Sequence, residues 1–236
     1  MFDNTEIRKA GELDVYVPTD SRVQTFIYNE IFEDRVYEHS FCKVTPGDVV
    51  VDIGANIGLF TLYAVGLGAS LVHAIEAEKT CVQCIRKNIY LYGAVDKVVV
   101  YEMAAWHEKS TVTLNNTTCR NVGSSWVNDL LDRHDDFLVC AIRGKISAKR
   151  DYDMYDVEAD TVDNVVAGKI DFVKVDTEGS ESEILIGMRN ILSMYKPKLA
   201  IAAYHRKSHT DELFDIVTKA NNSYRCSAKD STLFFY

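Results

Sequence analysis

The sequence predicts an α/β fold in which helices cover both faces of a largely parallel sheet. Three observations carry this: short β-branched apolar runs alternate with helical patterns, the rhythm occurs twice, and the chain closes with two apolar-rich runs around a turn. The first set comprises the runs 49–53 (VVVDI), 71–75 (LVHAI) and 97–103 (KVVVYEM), with helical spacing over 57–67 and 79–92 between them. The second comprises 170–176, a helix over 180–194, a run over 198–204 and a helix over 210–220. Continuous β-branched runs joined by helices are what a sheet buried on both faces requires. The closing segments SYRCSA and STLFFY flank Lys229-Asp230 and predict an antiparallel hairpin at the sheet edge.

Residues 1–46 form a preface to the domain spanning 47–236. It holds a short strand over 14–18 and helical spacing at Val23, Phe26, Ile27, Ile31 and Phe32 within 23–39. Pro46-Gly47-Asp48 is a turn feeding the first core strand. Between 104 and 168 the pattern loosens, and 115–165 reads as a substrate-side insertion or lid. Four basic residues (Arg143, Lys145, Lys149, Arg150) are followed by five acids (Asp151, Asp153, Asp156, Glu158, Asp160). A solvated face and a lid both fit such a segment.

Composition narrows the class. Of 236 residues, 47% are hydrophobic and 26% charged, enough apolar content to bury a core and exclude a disordered chain. The net charge of −9 argues against a partner bound through its phosphate backbone. No apolar run reaches the length of a membrane span. Residues 1–13 are charged and carry no secretory h-region, so a cytoplasmic protein is expected. Among six cysteines only Cys81 and Cys84 form a CxxC, within a helical pattern and without a second ligand pair, so no metal ligands are assigned.

The most informative segment is Val49-Val50-Val51-Asp52-Ile53-Gly54-Ala55-Asn56-Ile57-Gly58, a buried strand entering a glycine turn before a helix. Glycines there let a ligand approach the backbone, although any tight βα connection uses them too. Glu76 ends the next strand, about twenty residues on, where a carboxylate can accept from both hydroxyls of a ribose; Glu78 competes for that role. Asp52 is placed to face the amino group of a ligand. Asp176 and Glu178 follow the strand that should lie beside the glycine turn, at the crevice where open sheets bind ligands. They suit a hydroxyl, a cationic sulfonium or a divalent ion, while Glu178 equally suits the first turn of the following helix. His205 ends the adjacent run and is positioned as a general base. His73 reads as a core residue.

These segments together resemble the FkbM-type family of class I S-adenosylmethionine-dependent methyltransferases. DIGANIG, the acid of HAIEAE, the block TVDNVVAGKIDFVKVDTEGSESEILIGM and AIAAYHRKSHTDELFDI carry the resemblance, which runs from about Glu30 to about Phe214. It implies a Rossmann-like, doubly wound, seven-stranded, mostly parallel sheet with one antiparallel strand near the C-terminus. It also implies cofactor contacts at Asp52, Gly54, Asn56 and Gly58, a ribose contact at Glu76 and an adenine contact near Ala104 and Ala105; Ala55 of the same turn, and Asp176 and Glu178 by their place at the crevice, are counted with that cofactor site. S-adenosylmethionine would be the cofactor and S-adenosylhomocysteine its product. Glu30 and Tyr37 fall in an aromatic-acid segment resembling one that precedes the core in these enzymes; closure over the cofactor and plain packing are the two readings. Residues 121–126 (NVGSSW) resemble a small-polar turn of the family. With DTEG after the fourth strand, the expected chemistry is O-methylation of a small-molecule or glycan hydroxyl, using His205 as base and Asp176 to orient. Three alternatives stand: an RNA or protein methyltransferase using the 143–150 patch, a non-catalytic S-adenosylmethionine-binding module, and magnesium assistance at Asp176 and Glu178, for which no full ligand set is visible.

Overall fold

The computed structural model describes residues 4–19, 21, 23–115, 125–126, 154–177, 179–204 and 209–236. The chain opens with a hairpin that the sequence reading only half anticipated. Strand β1 (Thr5–Ala10) pairs antiparallel with β2 (Leu13–Pro18). Helix α1 (Gln24–Tyr28) then passes into a π-helical turn, Asn29–Glu33. The expected helix over 23–39 stops at Glu33, and Arg35 two residues on takes a left-handed conformation (φ 52°) through which no right-handed helix continues.

The core elements follow as β3 (Val49–Ile53), α2 (Leu59–Gly66), β4 (Leu71–Glu76), α3 (Lys79–Leu91) and β5 (Val98–Glu102). The segment read as loosened holds a second, four-stranded sheet of β6 (Ala104–Ala105), β7 (Ser110–Asn115), β8 (Ser125–Trp126) and β9 (Met154–Asp160), in the order β6-β9-β7-β8. Part of the acidic run is therefore strand: in β9, Val157 and Ala159 are buried while Asp156 and Glu158 alternate with them. The basic residues 143–150 lie outside the described residues.

After the single-turn helix α4 (Val162–Val165) come β10 (Phe172–Val175), α5 (Glu181–Ile186), α6 (Arg189–Tyr195), β11 (Lys198–Ala202), α7 (His209–Ala220), β12 (Cys226–Lys229) and β13 (Thr232–Phe235). The main sheet has seven strands in the order β12-β13-β11-β10-β3-β4-β5. Strand β13 alone is reversed, pairing antiparallel with both β11 and β12. Side chains alternate between two apolar clusters, Val50, Val72 and Phe172 on one face and Val51, Val173 and Leu199 on the other. No helix among the described residues is long and apolar enough to cross a membrane.

The helix expected over 180–194 is two helices broken at Gly187-Met188. A Cβ on Gly187 would lie 2.0 Å from the Trp106 carbonyl oxygen, so the break marks where the chain closes on the segment after β6. Replacing Gly187 by Ala must push that backbone contact apart. Such overpacking costs about 1–3 kcal/mol, so the melting temperature should fall by roughly 3–10 °C for a chain of this size. Gly66→Ala, which meets nothing within 4 Å, should leave it unchanged or raise it slightly. Differential scanning calorimetry of the two variants checks the contrast.

Candidate active site

The turn after β3 is built around glycine. Gly54 has φ 72°, and a Cβ there would lie 2.0 Å from the Asp176 carbonyl oxygen, so the turn presses directly on the end of β10. The N–H groups of Gly54 and Ala55 donate to the Ile75 carbonyl at 3.0 and 3.2 Å, fixing the turn to β4 as well. Asn56 is left-handed (φ 52°), and Gly58 (φ 86°) is the N-cap of α2.

Beside this turn lies a cavity of about 120 Å³. It is lined by Glu76, Ala77, Met103, Ala104, Ala105 and Leu114 from the β4 end and the segments after it, by Glu30 and Tyr37 from the N-terminal segment, by Lys174, Asp176, Thr177 and Tyr204 from the ends of β10 and β11, and by Gly54, Ala55 and Asn56 of the turn. The four strands β3, β4, β10 and β11 thus contribute their carboxyl ends, or the residues just past them, to one crevice.

Glu76 and Glu78, which competed in the sequence, separate cleanly. Glu78 is the N-cap of α3, accepting from the Cys81 N–H at 2.6 Å. Glu76 lines the cavity and accepts three backbone N–H bonds, from Asn56 (2.8 Å), Ala77 (2.9 Å) and Glu78 (2.8 Å). A carboxylate offers about four lone-pair directions, so roughly one is left for a ligand; reaching two hydroxyls requires sharing one of the three bonds. Burial pushes the Glu76 carboxyl up to about 7, against the downward pull of those N–H donors.

Asp52 is elsewhere than the sequence suggested. Its carboxylate is fully buried and is not among the described residues lining the cavity. Oδ2 accepts from the Thr61 hydroxyl at 2.7 Å, and Oδ1 lies 3.2 Å from Lys174 Nζ. Lys174 is the residue that sequence reasoning missed, a lysine inside the apolar run FVKV. Its ammonium also donates to the carbonyls of Gly54 (2.8 Å) and Ile53 (3.4 Å), so it joins the ion pair to the glycine turn. Asp52 therefore acts on the site through Lys174 and the glycine turn, because its side chain is buried in the core while Ile53, the last residue of β3, lines the cavity. Gly58 is likewise absent from the described lining; a Cβ there would lie 3.3 Å from Ile85 Cγ1, so its absence lets α2 start close against α3.

Asp176 lines the cavity and is held from two sides. The Tyr37 hydroxyl donates to Oδ2 at 2.5 Å, and the Tyr204 hydroxyl to Oδ1 at 3.4 Å. Tyr37 is buried, packed edge-on against Phe60, with Lys174 Nζ 5.5 Å from its ring centroid. Burial first, and then the Asp176 carboxylate, push the Tyr37 phenol well above its ordinary value, so it remains a neutral donor. Tyr204 carried no sequence signal beyond its place at the end of an apolar run. Glu178 and His205 lie outside the described residues, as does most of the stretch 121–126. His73 is buried within β4, Nδ1 3.0 Å from the Tyr101 hydroxyl, and burial lowers its pKa. Among the described residues no group of three or more His, Cys, Asp or Glu side chains is arranged to hold a metal ion.

With this geometry, comparison with known proteins is decisive for the family. Residues 52–226 match the methyltransferase FkbM domain, well over half of the chain. The chain belongs to the FkbM methyltransferase family. Within that family setting, it is 40% identical over 83 residues to the 31-O-demethyl-FK506 methyltransferase FkbM of Streptomyces tacrolimicus, covering 34% of this chain and 32% of that protein. It is 27% identical over 198 residues to methyltransferase sdnD of Sordaria araneosa, covering 78% and 75%. The crystal structure of a methyltransferase FkbM from Methylobacillus flagellatus superposes with a TM-score of 0.60 at 21% identity, over 82% of this chain and 44% of that one. A tRNA methyltransferase of M. jannaschii shares the fold at a TM-score of 0.52 and 13% identity, over 99% and 54%. The chain thus spans about a third of the Streptomyces protein and less than half of the Methylobacillus one.

Two expected outcomes follow from the FkbM site. Lys174→Met strands the buried Asp52 carboxylate and should destabilise the protein by about 3–5 kcal/mol, whereas Lys174→Met combined with Asp52→Asn should recover much of that loss; urea unfolding measures both. For Glu76, the folded pKa is raised above the ordinary value of 4.5. Its stabilising contribution is therefore complete below that value and is lost as pH rises to about 7. Glu76→Gln should flatten the fall in unfolding midpoint across that window, and an unchanged slope would show that Glu76 titrates normally.

Proposed function

We propose that the cavity binds S-adenosylmethionine and that the protein transfers its methyl group to a hydroxyl of a small-molecule or glycan-like acceptor. The observation that carries the reading is Glu76, preset by three N–H donors, buried at the end of β4 and facing the cavity beside a glycine turn. A ribose hydroxyl donates to a carboxylate so placed. Ala77, Met103, Ala104, Ala105 and Leu114 line an apolar slot suited to a flat base, and Asp176 stands at the polar end. Bound there, S-adenosylmethionine supplies a methyl group on a sulfonium.

The protein's own contribution is alignment and proton removal. Asp176, anchored by Tyr37, orients the acceptor by accepting from a polar group next to the reacting hydroxyl, whose own proton is left to the base. His205, immediately after Tyr204 in the chain, takes the hydroxyl proton as general base. Phe26, Ile27, Glu30 and Tyr37 place residues 1–46 along the cavity wall, which supports a role for that segment with 115–165 in choosing the acceptor. The name of the Streptomyces relative, an O-demethyl compound's methyltransferase, supports oxygen as the atom methylated. The unbridged thiols of Cys42 and Cys226 support a cytoplasmic setting.

A transfer screen with labelled S-adenosylmethionine against sugar, phenol, polyketide and RNA acceptors tests the reading. Label should appear on a small hydroxyl compound, and label confined to RNA would overturn the acceptor class. With that acceptor, His205→Ala should lower turnover by about 10²–10⁴-fold while leaving S-adenosylhomocysteine affinity intact. Undiminished turnover would remove His205 as the base.

A further inference from the structure

Phe26 stands apart from the other aromatic residues of its segment. From Ser21 to Cys42 the remaining phenyl and phenol rings pack on rings: Tyr28 stacks on Phe32 at 4.6 Å, Tyr37 sits edge-on to Phe60, and Phe41 lies 5.5 Å from Tyr236. No ring packs on Phe26 among the described residues, and the residue is 56% exposed. A single exposed apolar side chain is ordinary on a protein surface. Phe26, however, lines the cavity. A side chain that lines a cavity and also meets solvent stands where that cavity opens.

Its place along the helix fixes which part of the cavity it serves. Phe26 and Glu30 are four residues apart, as are Ile27 and Ile31, and all four line the cavity. Glu30, Asp176 and Tyr204 each act on the Tyr37 phenol, so these side chains are neighbours. Phe26 is thus one helical turn from the Asp176 side, and on a different segment from the Ala104-Ala105 slot suited to the base. Phe26, Ile27 and Ile31 offer a ligand no polar side-chain atom. A polyhydroxylated ring laid on them would leave hydroxyls without partners, which weakens binding. A flat apolar ring covers the exposed face of Phe26 and stacks on it.

We infer that Phe26 is a specificity-determining residue whose exposed ring holds the acceptor, and that the acceptor hydroxyl is carried on an aromatic ring rather than on a sugar. The inference rests on the methyl-transfer reading of the cavity and narrows its acceptor class. Phe26 takes no part in the chemical step. It holds the ring that bears the hydroxyl on the Asp176 side, and its loss is felt as weaker acceptor binding.

Steady-state transfer from labelled S-adenosylmethionine to a panel of phenols and of methyl glycosides, with the full chain and its Phe26 variants, tests this. The unaltered protein should methylate phenols with the higher kcat/KM. Phe26→Ala should raise the phenol KM by about 10–100-fold with kcat little changed, and Phe26→Tyr should keep it near the unaltered value. S-adenosylhomocysteine affinity, measured by calorimetry, should be the same in all three proteins. If Phe26→Ala does not fold by circular dichroism, Phe26→Leu takes its place, keeping apolar volume without the ring, and should raise KM in the same direction. Glycosides preferred over phenols, a phenol KM indifferent to loss of the ring, or S-adenosylhomocysteine binding weakened by it overturns the inference while leaving methyl transfer intact. Failure to bind S-adenosylhomocysteine, or label accepted by no small hydroxyl compound, overturns the reading beneath it.

Discussion

The site depends first on a buried ion pair. Asp52 on β3 and Lys174 on β10 are direct register partners across adjacent parallel strands, with side-chain exposures of 0% and 6%. Taking two charges from water is expensive, and the loss is offset only when the remaining polar valences are filled. Here Thr61 donates to Asp52 Oδ2 and the carbonyls of Ile53 and Gly54 accept from Lys174, while Asp52 Oδ1 has the Lys174 charge alone. The bond to Gly54 matters most, because it pins the glycine turn against β10. That holds the turn where Gly54 touches the Asp176 backbone, and so sets the floor of the cavity.

On this floor stand two carboxylates, each held by a different device. Glu76 is oriented by backbone N–H groups of the glycine turn and of the entry to α3, a rigid arrangement within core elements. Asp176 is oriented by a phenol from the N-terminal segment, Tyr37, about 140 residues away in the chain. The polar end is thus complete only when residues 1–46 are docked. The hairpin β1–β2 is fastened through Asn88 of α3, whose side chain accepts from the Tyr16 N–H at 2.7 Å and donates to the carbonyls of Tyr16 and Ile57. One buried amide therefore ties the hairpin, α3 and the segment after the glycine turn together.

Much of this was legible in the sequence, and the gaps have physical causes. The runs at 49–53, 71–75 and 170–176 announced buried parallel strands because their β-branched continuity leaves few alternatives, and Glu76 stood out as an acid ending such a run. The small sheet of β6 to β9 was missed because its strands alternate polar and apolar residues in a charge-rich stretch, so the outward face masked the inward one. The single helix expected over 180–194 failed at Gly187, whose role is a backbone contact with Trp106 that no local pattern records. Lys174 was passed over because a cation inside an apolar run acquires meaning only from the strand beside it. The pairing of Asp52 with Lys174 is hidden for the same reason: the two lie 122 positions apart in the chain and meet only through the sheet register.

The central claim is that Glu76, the glycine turn and Asp176 form one S-adenosyl site. A crystal structure of the protein grown with S-adenosylhomocysteine tests it most directly. The expected density places a ribose hydroxyl within hydrogen-bonding distance of the Glu76 carboxylate, the base against Ala104-Ala105 and the sulfur on the side of Asp176. Ligand density elsewhere on the molecule, with this cavity filled only by water at saturating ligand, would contradict it.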